Sequence, residues 1–196
     1  VIQMAVARIF LPAALLCTAL GIWAEPVWVS RFSEADPAIP APWKIEHLNE
    51  KYPPTRYALR RWDGVVAIEA RADKSMALLG RPVAVDLKKT PILCWQWRID
   101  APVASADMNR KSGDDYAARV YLTFSVPPEQ LGLGTRTKLA LARSIYGDQV
   151  PDAALNYVWD NIHPVGTLQD NAYTDRTRML VLRSGAGKAG AWVQER

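Results

Sequence analysis

Ile92-Leu93-Cys94-Trp95-Gln96-Trp97-Arg98-Ile99 is a mostly apolar run whose side chains sort cleanly by twos. In a strand, successive side chains point to opposite faces, so Leu93, Trp95, Trp97 and Ile99 share one face while Ile92, Cys94, Gln96 and Arg98 share the other. Two indoles beside Leu and Ile make the first face the core side of a sheet. Residues 116–124 split in the same way: Tyr116, Ala118, Val120, Leu122 and Phe124 oppose Asp115, Ala117, Arg119, Tyr121 and Thr123. Each strand thus has one apolar face and one face carrying an arginine.

Working outward, residues 56–62 and 65–70 read as strands separated by Asp63-Gly64. Both positions of a two-residue type I′ turn need positive φ, which Asp-Gly supplies, so a hairpin is expected. Residues 81–87 alternate weakly before a turn at 88–91. Residues 137–146 (Thr-Lys-Leu-Ala-Leu-Ala-Arg-Ser-Ile-Tyr) are rich in helix formers and end at Gly147, which predicts one short inserted helix. Residues 156–159 and 177–183 read as strands. Residues 184–190 hold three glycines and read as a turn before a last strand around Trp192. Pro37, Pro40, Pro42, Pro53 and Pro54 keep residues 25–54 out of a continuous helix, giving an extended lead-in anchored by Trp43. Short strands, frequent turns and one helix predict an all-β antiparallel β-sandwich over residues 55–196, with a jelly roll as the preferred topology.

The composition limits the chemistry. The 196 residues carry a formal net charge of +4 and hold two His and two Cys, too few for a zinc cluster or a disulfide framework. The basic excess forms no Lys/Arg stripe with interleaved aromatics, so no nucleic-acid partner is expected. Residues 1–24 place Met4 and Arg8 before an uncharged run rich in Ala and Leu, the pattern of a secretory signal peptide. That run contains Pro12 and falls short of the ~20 residues of a spanning helix, so membrane contact is expected only transiently, during export. A periplasmic or extracellular protein follows from this reading. Cys94 is then the sole thiol, and its apolar neighbours suggest a buried structural residue.

The candidate for function is Gly113-Asp114-Asp115-Tyr116-Ala117-Ala118-Arg119-Val120-Tyr121. Adjacent carboxylates can supply oxygen ligands to Ca²⁺ or accept hydrogen bonds from sugar hydroxyls. Alternatively, one closes an Asx-turn and the other neutralises Arg98 or Arg119. Asp115, Arg119 and Tyr121 share a face, which Gln96 and Arg98 join if their strands share a sheet. The candidate ligand-binding set is therefore Gln96, Arg98, Asp114, Asp115, Arg119 and Tyr121. Such a surface suits a glycan, since aromatic planes meet sugar C–H faces while Arg and Asp meet hydroxyls. A glycosidase needs two carboxyl groups roughly 5 to 9 Å apart, and nothing brings Glu69 opposite Asp115. Non-catalytic binding of a glycan or other polar envelope ligand is thus the first reading. The alternatives are a periplasmic carbohydrate-active hydrolase using Asp114 or Asp115, and a purely structural ion-pair network. No catalytic residue is assigned and, apart from Ca²⁺, no cofactor is expected. His47 and His163 lack neighbouring ligands, and His163, beside Pro164, reads as a turn or surface residue. Gly185-Ala186-Gly187-Lys188-Ala189 lacks the first glycine and the hydroxyl of a phosphate loop, leaving a hairpin turn.

Pro54-Thr55-x-Tyr57, Val85-Asp86-Leu87, Pro91-x-Leu93-x-Trp95-x-Trp97-Arg98, the Gly113 to Tyr121 segment and Tyr157-Val158-Trp159 together resemble the bacterial exported domain-of-unknown-function family 3047, from about Phe32 onward. The resemblance implies a secreted or periplasmic location, no established activity, and a fold similar to jelly-roll carbohydrate-binding modules. Arg98, Asp114, Asp115, Arg119 and Tyr121 stand at its motif positions, with no catalytic role attached. Family members usually continue beyond the strand here at Gly190-x-Trp192, so the resemblance also implies missing closing strands and an unpaired sheet edge.

Overall fold

The computed structural model describes residues 25–33, 38–47, 49–146 and 150–196. The signal-peptide reading of residues 1–24 and the helix stop at Gly147 lie outside the described residues. The chain divides into two compact units, Val1–Pro91 and Ile92–Arg196.

In the first unit, β1 (Lys44–Glu46) pairs antiparallel with β4 (Leu78–Gly80), and β2 (Arg56–Trp62) with β3 (Val65–Arg71). The β2–β3 hairpin turns on Asp63 and Gly64, whose φ values of 50° and 83° are those the Asp-Gly reading requires. Its register sets Trp62 opposite Val65 and Arg56 opposite Arg71. Residues 81–87, expected as a weak strand, form none. Pro82 has no N–H to donate to a ladder, and Asp86 closes a turn instead: its carbonyl accepts the N–H of Lys89 at 2.9 Å and of Thr90 at 2.8 Å.

In the second unit, β6 (Arg119–Phe124), β7 (Ala153–Asp160), β8 (Leu168–Asn171) and β9 (Thr174–Ser184) form a four-stranded sheet in the order β6-β7-β9-β8. A separate ribbon pairs β5 (Trp95–Trp97) with β10 (Val193–Glu195). The fold is all-β with one α-helix among the described residues. One feature departs from the wholly antiparallel sandwich: β7 and β9 run parallel, because β8 intervenes in the chain and takes the outer position beside β9. Helix α1 (Leu133–Tyr146) begins a turn earlier than expected. Gly134 costs little in the first turn, whose N–H groups have no intrahelical acceptor in any case. The helix is tied to the start of β7 by Arg143, which donates to the Val150 carbonyl and to Asp152 Oδ1, each at 2.9 Å.

Both faces of the four-stranded sheet are covered. On one, Trp97, Ile99 and Trp159 are buried together with Trp95, Val120, Leu182 and Val193 packed around them. Trp97 meets Trp159 at 5.8 Å between centroids and Trp95 meets Tyr157 at 5.1 Å, contacts worth ~0.5–1.5 kcal/mol each beyond their area. On the other face, Val158, Met179 and Val181 pack under Ala106, Met108 and Tyr116 of the segment preceding β6. A strand covered on both sides needs a near-continuous apolar run, which is how β7 reads. The indoles of β5 thus face the core as the alternation required, and Cys94, on the opposite parity, is exposed. The expectation of a buried thiol is corrected: strand parity overrides the apolar character of its neighbours.

Candidate functional site

The segment from Val103 to Ala118 crosses one face of the sheet as a strap. Its turns are closed by the Asp107 N–H donating to the Gly113 carbonyl at 2.9 Å, and by the Asp115 N–H donating to the same oxygen at 2.8 Å. Gly113 is buried, and a Cβ there would stand 2.7 Å from the Asp107 carbonyl oxygen and 2.8 Å from its nitrogen. Only glycine allows this approach. Asp114 is placed next in the chain over the start of β6.

Asp114 and Arg119 form the centre of the site. Arg119 donates to Asp114 Oδ1 at 3.3 Å and to the Asp114 carbonyl at 2.9 Å, while Asp114 Oδ2 accepts from Asn171 Nδ2 at 3.2 Å. The guanidinium lies 4.9 Å from the Tyr116 ring centroid and 5.9 Å from that of Tyr121, whose hydroxyl accepts from Arg119 at 3.4 Å. Tyr121 is exposed, and the Arg119 side chain is 23% exposed. Burial, and then the nearby carboxylates of Asp114 and Asp160, push the Tyr116 phenol far above its ordinary pKa. Its hydroxyl is buried and has no hydrogen-bond partner among the described residues.

Across the strand pair from Tyr121 lies a second polar group. Register places Asn156 of β7 opposite Tyr121 of β6 and beside Met179 of β9, on the face that the strap covers. Asn156 is fully buried, and neither atom of its amide has a partner among the described residues. Each such group costs about 1–3 kcal/mol in a protein interior. Asn171 also brings its Nδ2 to 3.1 Å from the Met179 sulfur.

Of the six residues singled out from sequence, the structure brings Asp114, Arg119 and Tyr121 together. Asp115 follows on the strap but is exposed, and Asp114 is the carboxylate that meets Arg119. Gln96 and Arg98 do not join the group, because β5 pairs with β10 and not with a strand of the larger sheet. Gln96, opposite Gln194, projects from the ribbon's exposed side. For Ca²⁺, Asp114 is committed to Arg119 and Asn171, and among the described residues no group of three or more His, Cys, Asp or Glu is placed to hold a metal ion.

His163, expected as a turn or surface residue, sits in a turn and is engaged at both ring nitrogens. Its side chain is 15% exposed, and its Nδ1 donates to the carboxylate of the fully buried Asp160 at 3.2 Å. Asn109 Nδ2 donates to Nε2 at 2.9 Å, which fixes the neutral ring as the Nδ1–H tautomer. The signal was local: Asp160 Oδ1 also accepts the N–H of Ile162 and His163, each at 2.7 Å, an Asx-turn legible as Asp-x-x-His. His163 thereby clasps the strap to the far end of β7.

The architecture and this cluster define an all-β domain with a polar site at the junction of a glycine-anchored strap and a sheet. Residues 41–196 match the family described as Protein of unknown function (DUF3047), and the chain belongs to that family. Nothing among curated proteins or solved structures matches it.

Proposed function

We propose that this is an exported, non-catalytic domain that binds a glycan or similarly hydroxyl-rich ligand where Tyr121 and Arg119 reach the surface. The reading is carried by one observation: Asn156, fully buried with an unpartnered amide, lies in register with exposed Tyr121. A core gains stability from an apolar residue there, so the amide is better explained by a polar partner than by folding. The phenol offers a plane for a sugar's C–H face, and the Arg119 guanidinium offers donors for its hydroxyls. The competing hydrolase reading is weaker, because Asp114, one of its two carboxylates, is bound by Arg119 and Asn171. Export is supported by the charge and apolar pattern of residues 1–24.

The test is retention of the chain on insoluble polysaccharides and a glycan array. The parent and an Arg119→Ala, Tyr121→Ala double variant would be compared, with circular dichroism as the check on folding. Binding by the parent that the folded variant loses is the expected result. Equal binding by both removes the assignment.

A further inference from the structure

The first unit carries a charge imbalance that its own fold does not resolve. Arg56 and Arg71 stand directly opposite each other in the β2–β3 register, and Arg60 and Glu69 follow on the same face. Like charges opposite one another destabilise a strand pair. The single carboxylate serves two of the three arginines: Glu69 lies 3.0 Å from Arg71 and 3.6 Å from Arg60. Its side chain is 13% exposed, so it is already spent on these contacts. Among the described residues, Arg56 has no carboxylate partner. These side chains line a groove of about 610 Å³ whose remaining wall includes Ile45, Pro54 and Tyr57.

We propose that this groove binds an organic oxyanion, a carboxylate or phosphate ester, between Arg56 and Arg71. A guanidinium presents a planar fork that matches either group with two parallel hydrogen bonds. An anion seated between the opposed forks converts the repulsion of the pair into two attractions. The apolar wall favours a ligand with a carbon skeleton over a bare ion, and the volume is that of a small-molecule site. Nothing in this assignment depends on the Arg119 site of the second unit.

The experiment is titration calorimetry at low salt on the full chain carrying Arg119→Ala and Tyr121→Ala, which removes the glycan site proposed above and serves as the parent here, with three probes: a galacturonic acid trimer, glucose 6-phosphate and a neutral glucose trimer. One or both anionic probes bind and the neutral one does not, and which anion binds names the source of the oxyanion. Arg56→Gln weakens binding about tenfold or more while leaving the thermal midpoint equal or higher, since it relieves the like-charge pair. The proposal is overturned if neither anion binds, if the neutral trimer binds as well, or if Arg56→Gln and Arg71→Gln bind like the parent.

Discussion

The backbone of Gly113 rests against that of Asp107 so closely that a Cβ on the glycine would lie 2.7–2.9 Å from three Asp107 atoms. Two of these are backbone atoms already bound into the strap's turns, and they cannot retreat without breaking the hydrogen bond from the Asp107 N–H to the Gly113 carbonyl.

Gly113→Ala is therefore expected to cost about 3 kcal/mol, at the upper end of overpacking effects. The strap should loosen before the sheet does. Denaturant unfolding gives the stability, and hydrogen exchange should show early loss of protection in residues 103–116. A variant within 0.5 kcal/mol of the parent, roughly the range of an ordinary surface change, would mean the approach is looser than described.

Asn156→Leu replaces an unpartnered buried amide with an apolar group of similar size. It is expected to raise stability by about 1–2 kcal/mol, because the desolvation cost of the amide disappears. If the ligand reading is right, the same variant binds polysaccharide less well. A fall in thermal midpoint would show that the amide is satisfied in the folded protein.

Glu195 accepts from Trp97 Nε1 at 2.9 Å and from Arg183 at 2.7 and 2.9 Å, and its side chain is 7% exposed. Glu195→Ala removes the acceptor for an indole N–H and a guanidinium together, an expected loss of about 3 kcal/mol. Tryptophan fluorescence should shift to the red as Trp97 becomes hydrated. Unaltered emission and stability would count against the coupling.

The Asp152 carboxyl is held below its ordinary pKa, first by the Val126 N–H and then by Arg143. Asp107 is lowered too, chiefly by the Asn109 N–H and then by Arg110. A carboxyl whose folded pKa lies below the unfolded one stabilises fully above the unfolded value, near 3.9, and loses that contribution as pH falls through the folded pKa. Asp152→Asn should thus lower the thermal midpoint at pH 7 and converge on the parent at about pH 2. Midpoints that remain a constant distance apart across this range would refute the linkage.

What the sequence revealed was governed by local rules. The Asp63-Gly64 hairpin, the alternation of Trp95 and Trp97, and the glycine turn before β10 each depend on a few neighbouring residues, and each appears in the fold. Strand partners are not local. Nothing within residues 92–99 specifies that β5 pairs with β10, so the condition on which Gln96 and Arg98 would share a face with Arg119, a common sheet, is not met. The short strands β1, β4 and β8 have too few residues for a period to show. Asn156 was hidden for another reason: inside an apolar run, a single amide is indistinguishable from a tolerated polar substitution until its burial is known.

The β5–β10 ribbon has a bearing on how the chain reaches this state. Trp97 and Glu195 are separated by 98 positions, and the ribbon they join covers one face of the sheet. Contacts between segments so distant form late, after the entropy of a long loop has been lost. Until residues 193–195 arrive, Trp95, Trp97 and Trp159 lack part of their cover and present a sticky indole surface of the kind that drives aggregation. During folding the protein is most vulnerable at its most aromatic face.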